Sequence, residues 1–189
     1  MSSESAVVSY AIDSNLSRFT IKAFASGMLS GLGHNPTIAV RSYTGSAKAS
    51  PDNLEGASLQ VRIQPDSFTV TDDVSSKDRQ DIESRMKQAV LETSRFSEIA
   101  FDSTNISASQ LGAGRFNAAI TGDLSLHGVR KSFTFNAQVI VTGPTLRGFG
   151  EFALRQTDYD IELVSVAGGT LKVKDELKVS FDILARKQG

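Results

Sequence analysis

Few side chains in this sequence are placed to do chemistry, and the two histidines are the first to consider. Imidazole titrates near neutral pH and can bind a metal or a polar group, but His34 and His127 lie far apart in the chain. Cysteine is absent, and neither a His-x-His nor an HExxH motif occurs, so the sequence does not favour a metal site. An enzyme would need His34 to converge with a carboxylate such as Asp66 or Asp158, and nothing in the spacing requires this.

The glycine-rich segment before His34 lacks the motifs of two other chemistries. Ser30 lies in GMLSG, which lacks the GxSxG spacing of a hydrolase nucleophile, and LSGLG lacks the lysine and the hydroxyl residue of a phosphate-binding loop. His34 could instead reach the mouth of a binding site and contact a quinone oxygen or a phosphate. The alternative is a histidine bonded to a loop carbonyl. We expect His127 to face solvent or brace a turn, and we expect no catalytic residue.

Two long alternating segments predict the strands that would surround such a binding site. Side chains alternate between the two faces of a strand, and in residues 115–127 one face is apolar: Phe116, Ala118, Ile120, Gly122, Leu124 and Leu126. The pattern resumes after Gly128 with Phe133, Phe135, Ala137, Val139 and Val141. The two segments therefore predict a hairpin that turns near residues 127–130.

Shorter alternations in residues 19–23, 59–63 and 177–183 extend this pattern along the chain. Glycine or proline separates most of them, and about eight strands result, which favours a meander or barrel over βαβ units. Residues 77–92 are the exception, because Ile82, Met86, Ala89 and Val90 recur there at helical spacing among charged residues. This segment predicts one amphipathic helix that flanks the barrel.

Composition narrows the function further. The chain has 189 residues, of which 40% are hydrophobic, and we expect one domain over residues 1–189. The net charge is −1 with lysine and arginine spread along the chain, which argues against nucleic-acid binding and leaves only transient membrane contact. If nothing precedes Met1, the absence of a signal sequence predicts a cytoplasmic protein. If a leader has been removed, a periplasmic protein is expected.

The long apolar faces must be buried, and one helix is too little to cover them. Closure into a barrel of about eight strands can leave room for one small ligand. Small residues such as Ala118, Gly122 and Ala137 would leave space beside Phe133 and Phe135. A filled core remains the alternative.

Four segments also resemble a known family. They are YAIDSNLSRFTIKAF, SRFSEIAFDSTNI, GDLSLHGVRKSFTF and QTDYDI, of which GDLSLHGV is the most specific. On these segments the chain is similar to the YceI family of lipocalin-like barrels, whose members bind polyisoprenoid lipids. The resemblance implies an eight-stranded antiparallel β-barrel with a long apolar pore for a prenyl chain. It also implies a non-enzymatic role in binding, storing or transporting isoprenoids, with a link to stress.

The sequence thus predicts a barrel that binds a polyisoprenoid or an isoprenoid quinone, with no other cofactor and no metal. The residues expected to line the pore are Phe19, Ile21, Phe116, Ile120, Leu124, Phe133, Phe135, Leu171, Val179 and Phe181, with His34 as a candidate at the mouth. The alternative is an interaction module with a filled barrel, whose helix around Met86 docks a partner. Exposed apolar residues could also support a homodimer, although no motif specifies one.

Overall fold

The protein is an antiparallel barrel of eight staves, each made of one strand or of two successive strands. The computed structural model describes residues 6–27 and 35–189. Its first seven strands are β1 (Val8–Ile12), β2 (Arg18–Lys22), β3 (Ala25–Ser26), β4 (Thr37–Ala39), β5 (Tyr43–Ala49), β6 (Ser58–Ile63) and β7 (Thr69–Val70). Helix α1 (Ser76–Arg85) follows and continues as a π-helical turn, Met86–Val90.

The second half of the chain supplies the long strands. These are β8 (Ile99–Gly112), β9 (Arg115–Leu126), β10 (Val129–Thr142), β11 (Thr145–Arg155) and β14 (Glu176–Lys187), with the short β12 (Ser165–Val166) and β13 (Leu171–Val173) before the last. The turn between β9 and β10 falls at His127 and Gly128, as the alternation predicts. Both residues have positive φ, the geometry of a tight two-residue hairpin.

Strand β14 closes the barrel. It pairs with β11 along one edge, and along the other it pairs with both β1 and β2. These two strands therefore form one stave, which is interrupted at residues 13–17. There the Ser17 hydroxyl donates to the Asp13 carbonyl (2.7 Å) and accepts from the Leu184 amide (2.9 Å), so backbone groups freed by the break remain satisfied.

The next two staves are interrupted in the same way. Strand β1 pairs with β5 while β2 pairs with β4, and β5 pairs with β6 while β4 pairs with β7. The prediction of an eight-stranded antiparallel barrel with one flanking helix is confirmed. A separate sheet, in the order β12-β13-β3, lies beside the barrel.

Helix α1 completes the wall where a strand ladder ends. Strand β6 pairs with β8, but within the described chain β7 pairs with β4 alone. Side chains of the helix bond the free edge of β7: the Val70 amide donates to Glu83 Oε1 (2.8 Å), and Arg79 donates to the Val70 and Asp72 carbonyls. The helix therefore substitutes for a strand, and this is more than the flanking position that its amphipathic pattern predicts.

Candidate functional site

An apolar cavity of about 390 Å³ lies between the barrel, helix α1 and the small sheet, and we call it the outer cavity. Of the described residues that line it, all but four are apolar; the exceptions are Asp81, Arg85, Gln156 and Lys172. The sequence placed Ile21, Leu171 and Val179 in the lining, and all three line this cavity.

A second cavity of about 160 Å³ lies deeper in the barrel, and we call it the inner cavity. Its described lining is also apolar, apart from Lys48, Ser58 and a glycine. Ile120, Phe133, Phe135 and Phe181 line it, as the sequence predicts. The two cavities share four lining residues: Phe19, Ile63, Leu124 and Phe152. The interior is therefore a chain of two apolar spaces that meet at a narrow point.

Aromatic rings of the inner cavity pack beside this narrow point, where Phe152 lines both cavities. The ring of Phe135 lies 5.4 Å from that of Phe101, 5.3 Å from that of Phe152 and 5.5 Å from that of Phe181. The contacts of Phe135 with Phe101 and Phe181 are edge-to-face, and such contacts add to the stabilisation from burial alone. Alternation on the strands brings the rings to the interior, but only the barrel register brings them together.

Two glycines make room for these rings. A Cβ atom added to Gly122 would lie 2.6 Å from the Phe101 ring and 2.4 Å from the Asp102 carbonyl oxygen. At Gly150 a Cβ would lie 3.1 Å from the Phe181 ring and 2.8 Å from the Asn136 carbonyl oxygen. Both glycines are on apolar faces of long strands, so their lack of a side chain admits a neighbouring ring.

Phe116, another predicted site residue, lies elsewhere. Phe116 is buried, with 3% of its surface exposed, but it packs in the core cluster with Tyr10 and Val139 and lines neither cavity. Alternation places a side chain inside a barrel without giving its depth along the barrel axis. The sequence therefore could not predict the position of Phe116 relative to the cavities. His34 lies outside the described residues.

The helical segment of residues 76–90 and the loop before β12 contribute to the site in a way that the sequence pattern does not predict. Ile82, Met86 and Val90 line the outer cavity, and so do Ile161 and Val164. The first three belong to the helical apolar stripe in the sequence, which predicts only a helix that flanks the barrel. The loop residues carry no periodic pattern that could have placed them.

His127 braces the turn and does not face solvent, since only 10% of its side chain is exposed. Its Nε2 lies 2.7 Å from Glu92 Oε2 and its Nδ1 lies 3.2 Å from the Tyr159 carbonyl oxygen. The ring also packs on Phe96, at 4.5 Å between centroids. The two partners are a carboxylate oxygen and a backbone carbonyl oxygen, one for each ring nitrogen. His127 thereby joins the β9–β10 hairpin to the end of the helical segment.

Gln156 is fixed at the edge of the outer cavity by its surroundings. Its side-chain amide donates to the Lys174 carbonyl (2.9 Å), and only 5% of the residue is exposed. The neighbouring turn is held by Asp175, which accepts from the Thr157 amide (2.8 Å) and hydroxyl (2.7 Å). These hydrogen bonds lower the pKa of Asp175, whereas burial raises the pKa of Tyr159.

Neither a cluster of metal ligands nor a membrane-spanning helix occurs in the described residues. Among them, no group of three or more histidine, aspartate or glutamate side chains could hold a metal ion. Asp66 and Asp158, once considered as partners for His34, line neither cavity. In the same part of the chain, no helix is long and apolar enough to cross a membrane.

The fold and the two cavities define a lipocalin-like barrel with an apolar interior. The model of the YceI-like domain matches residues 10–185, and the chain therefore belongs to the YceI-like family. This confirms the resemblance seen in the four sequence segments. A search of curated proteins found no match.

Solved structures share the fold. BcnA of Burkholderia cenocepacia has a TM-score of 0.69 at 15% identity, covering 92% of this chain and 98% of its own. A polyisoprenoid binding domain from Saccharophagus degradans, implicated in plant cell wall breakdown, has a TM-score of 0.67 at 16% identity, covering 96% and 99%. The YCEI protein of Campylobacter jejuni has a TM-score of 0.61 at 12% identity, covering 83% and 88%.

Proposed function

We propose that this protein binds a long apolar lipid of the polyisoprenoid type inside the barrel, and stores or carries it without chemical change. The observation that carries the proposal is the pair of adjoining apolar cavities, which share Phe19, Leu124 and two further residues. The name of the Saccharophagus degradans domain, which shares the fold, supports the same class of ligand.

Burial provides enough free energy for such binding. Each methylene group removed from water contributes ~0.8 kcal/mol, so a prenyl chain needs few polar contacts. A ligand chain that occupies the outer cavity would continue past Phe19 and Phe152 into the inner cavity. Chain length would then be selected by the packed end of the barrel, where Phe116 and Val139 are buried.

Two observations count against the alternative of a filled barrel that docks a partner through its helix. The interior contains the two cavities, and Met86, the centre of the supposed docking face, is 9% exposed and lines the outer cavity. The helix therefore turns its apolar residues toward the barrel. Its outward face is charged, which is usual for a solvated helix.

Lipid retention tests the proposal. Purified protein incubated with geranylgeraniol and passed over a gel-filtration column should retain about one lipid per chain, as measured by mass spectrometry of an organic extract. Native mass spectrometry of the same sample should show the intact complex. Folded protein that retains no prenyl lipid would overturn the proposal.

A pair of tryptophan variants locates the lipid. Ile120 is 6% exposed and lines the inner cavity, whereas the next residue, Ala119, has its side chain on the other face of β9. We expect Ile120→Trp to reduce retained lipid several-fold, because the indole fills the inner cavity, at a cost of about 1–3 kcal/mol in the free energy of unfolding. Ala119→Trp should retain lipid as the unmodified chain does. Equal retention in two folded variants would show that the chain does not reach the inner cavity.

A further inference from the structure

The four polar residues that line the outer cavity differ in their exposure to solvent. Three of the four, Asp81, Arg85 and Lys172, carry charge and are exposed to solvent while still contributing to the lining. A residue that both lines a cavity and is exposed lies at its opening. The charged groups therefore mark the place where the cavity meets water.

Two of these charges are cationic and come from different elements. Arg85 is the last residue of α1, and Lys172 is the middle residue of β13 in the small sheet. Within the described chain, neither forms an ion pair, whereas Arg62, Arg147 and Arg155 each pair with an aspartate. The opening thus holds two cations that are not neutralised by a carboxylate.

Asp81 lies four positions before Arg85 in the helix, whereas Glu83, two positions before it, accepts from the Val70 amide. The spacing of Asp81 and Arg85 permits a pair, but the two side chains do not form one in the structure. Even if Asp81 is counted in full, the charge at the opening is positive by one. The whole chain has a net charge of −1, so this positive charge is a local property of the opening.

We infer that the opening of the outer cavity binds the anionic head group of a long-chain amphiphile, a phosphate or a carboxylate, between Arg85 and Lys172. This inference rests on the proposed function and adds the class of head group to it. Charge-assisted hydrogen bonds are roughly twice as strong as neutral ones, so an alcohol or a quinone of the same chain length would bind more weakly. The apolar stems of both side chains pack along the cavity while their charged ends stay in water.

Three probes with the same C20 chain test the inference: geranylgeraniol, geranylgeranoic acid and geranylgeranyl phosphate. With the unmodified chain, we expect at least one of the anions to bind about tenfold more tightly than the alcohol, a factor typical of one charge-assisted contact. The preference should decrease as salt is raised, because the contact is exposed. Affinities can be measured by displacement of a fluorescent fatty-chain probe.

The variant Arg85→Met with Lys172→Met removes both charges and keeps the apolar stems. Its affinity for the alcohol should stay within about twofold, while its preference for anions disappears. The matched control is Lys87→Met with Lys174→Met, which removes two cations from neighbouring positions that do not line the cavity. The control should keep the full preference for anions.

The possible results separate this inference from the proposed function. Equal binding of alcohol and anions by the unmodified chain would overturn the inference and leave lipid binding in place. Loss of the preference in the control as well would overturn it too, since general charge would then be responsible. Folded protein that binds none of the three probes would overturn the proposed function and this inference with it.

Discussion

At the scale of single residues, the packing of the aromatic rings inside the barrel depends on two positions that have no side chain. Gly122 and Gly150 lie on the apolar faces of long strands, where an alternation pattern predicts apolar side chains. Their role becomes visible only with the register, which pairs Gly150 with Phe181 and pairs Gly122 with Ser103, two residues from Phe101. The ring of Phe101 then lies beside Gly122. The pattern of residue types along one strand does not show which aromatic ring of the adjacent strand packs against it.

Substitution of these glycines gives a matched pair of predictions. Gly122→Ala should destabilise the protein by about 1–3 kcal/mol, because the added methyl group overlaps the Phe101 ring and the Asp102 carbonyl, and overpacking costs this much. Gly148→Ala is the control: Gly148 lies on the apolar face of β11 and lines the inner cavity, but nothing lies within 4 Å of its added Cβ. Denaturant unfolding measures both, and equal stability of the two variants would contradict the role given to Gly122.

At the scale of elements, His127 holds the helical segment to the barrel. Glu92, His127 and Asp160 are the three non-glycine residues with positive φ in the described chain, and the hydrogen bonds of His127 bring their segments together. Such backbone conformations cost free energy, so the surrounding contacts must offset it. The π-helical turn at Met86–Val90 ends at the same junction.

Replacement of His127 should loosen this junction. His127→Leu removes both hydrogen bonds and leaves the Tyr159 carbonyl without a partner, which should cost about 1–3 kcal/mol. Hydrogen exchange of residues 86–96 should become faster, while exchange in β11 and β14 changes little. Arg130→Leu is the control, since Arg130 is in an exposed ion pair on the same hairpin, worth at most about 1 kcal/mol. Unchanged exchange in residues 86–96 of the His127 variant would show that it does not hold the helix.

Some of the secondary-structure elements could be predicted from the sequence, and others could not. Alternation predicted the β9–β10 hairpin with a turn near residues 127–130, and the turn is observed at His127 and Gly128. Helical spacing predicted a helix at residues 77–92, close to the observed residues 76–90. The alternation did not predict the interruptions at residues 13–17 and 40–42. An interruption is defined by the strands that pair on either side of it, and the sequence pattern does not give these partners. The outer cavity could not be predicted either, since its walls come from elements distant in sequence.

At the scale of the whole molecule, carboxylates near β14 help to close the barrel. Asp13 on one side accepts from Arg186 (2.8 Å), and Asp182 accepts from Arg147 of β11 (2.6 and 2.7 Å). The hydrogen bond from Arg186 lowers the pKa of Asp13, and those from Arg147 lower the pKa of Asp182. Both seams of the closing strand are therefore stabilised by ionised aspartates.

These shifts predict a loss of stability in acid. A carboxylate whose pKa is lower in the folded than in the unfolded chain stabilises the fold above the unfolded value, and this contribution disappears as the pH falls through the folded value. The ordinary aspartate value is 3.8, so the thermal midpoint should fall as the pH decreases below it. Because the groups are exposed, the effect of each is modest. Asp182→Asn should make this fall smaller, and a midpoint unchanged in acid would contradict the prediction.

A helix, and not a strand ladder, lies between β7 and β8. The diameter of the barrel and the wall of the outer cavity therefore depend on different parts of the chain. Strand pairing fixes the diameter of the barrel, whereas the segment from residue 71 to residue 98 forms one wall of the outer cavity without taking part in any ladder between these two strands. Insertions, deletions and substitutions in this segment can therefore change the volume of the outer cavity while every strand register stays the same. An engineered replacement of residues 71–98 could change this volume deliberately.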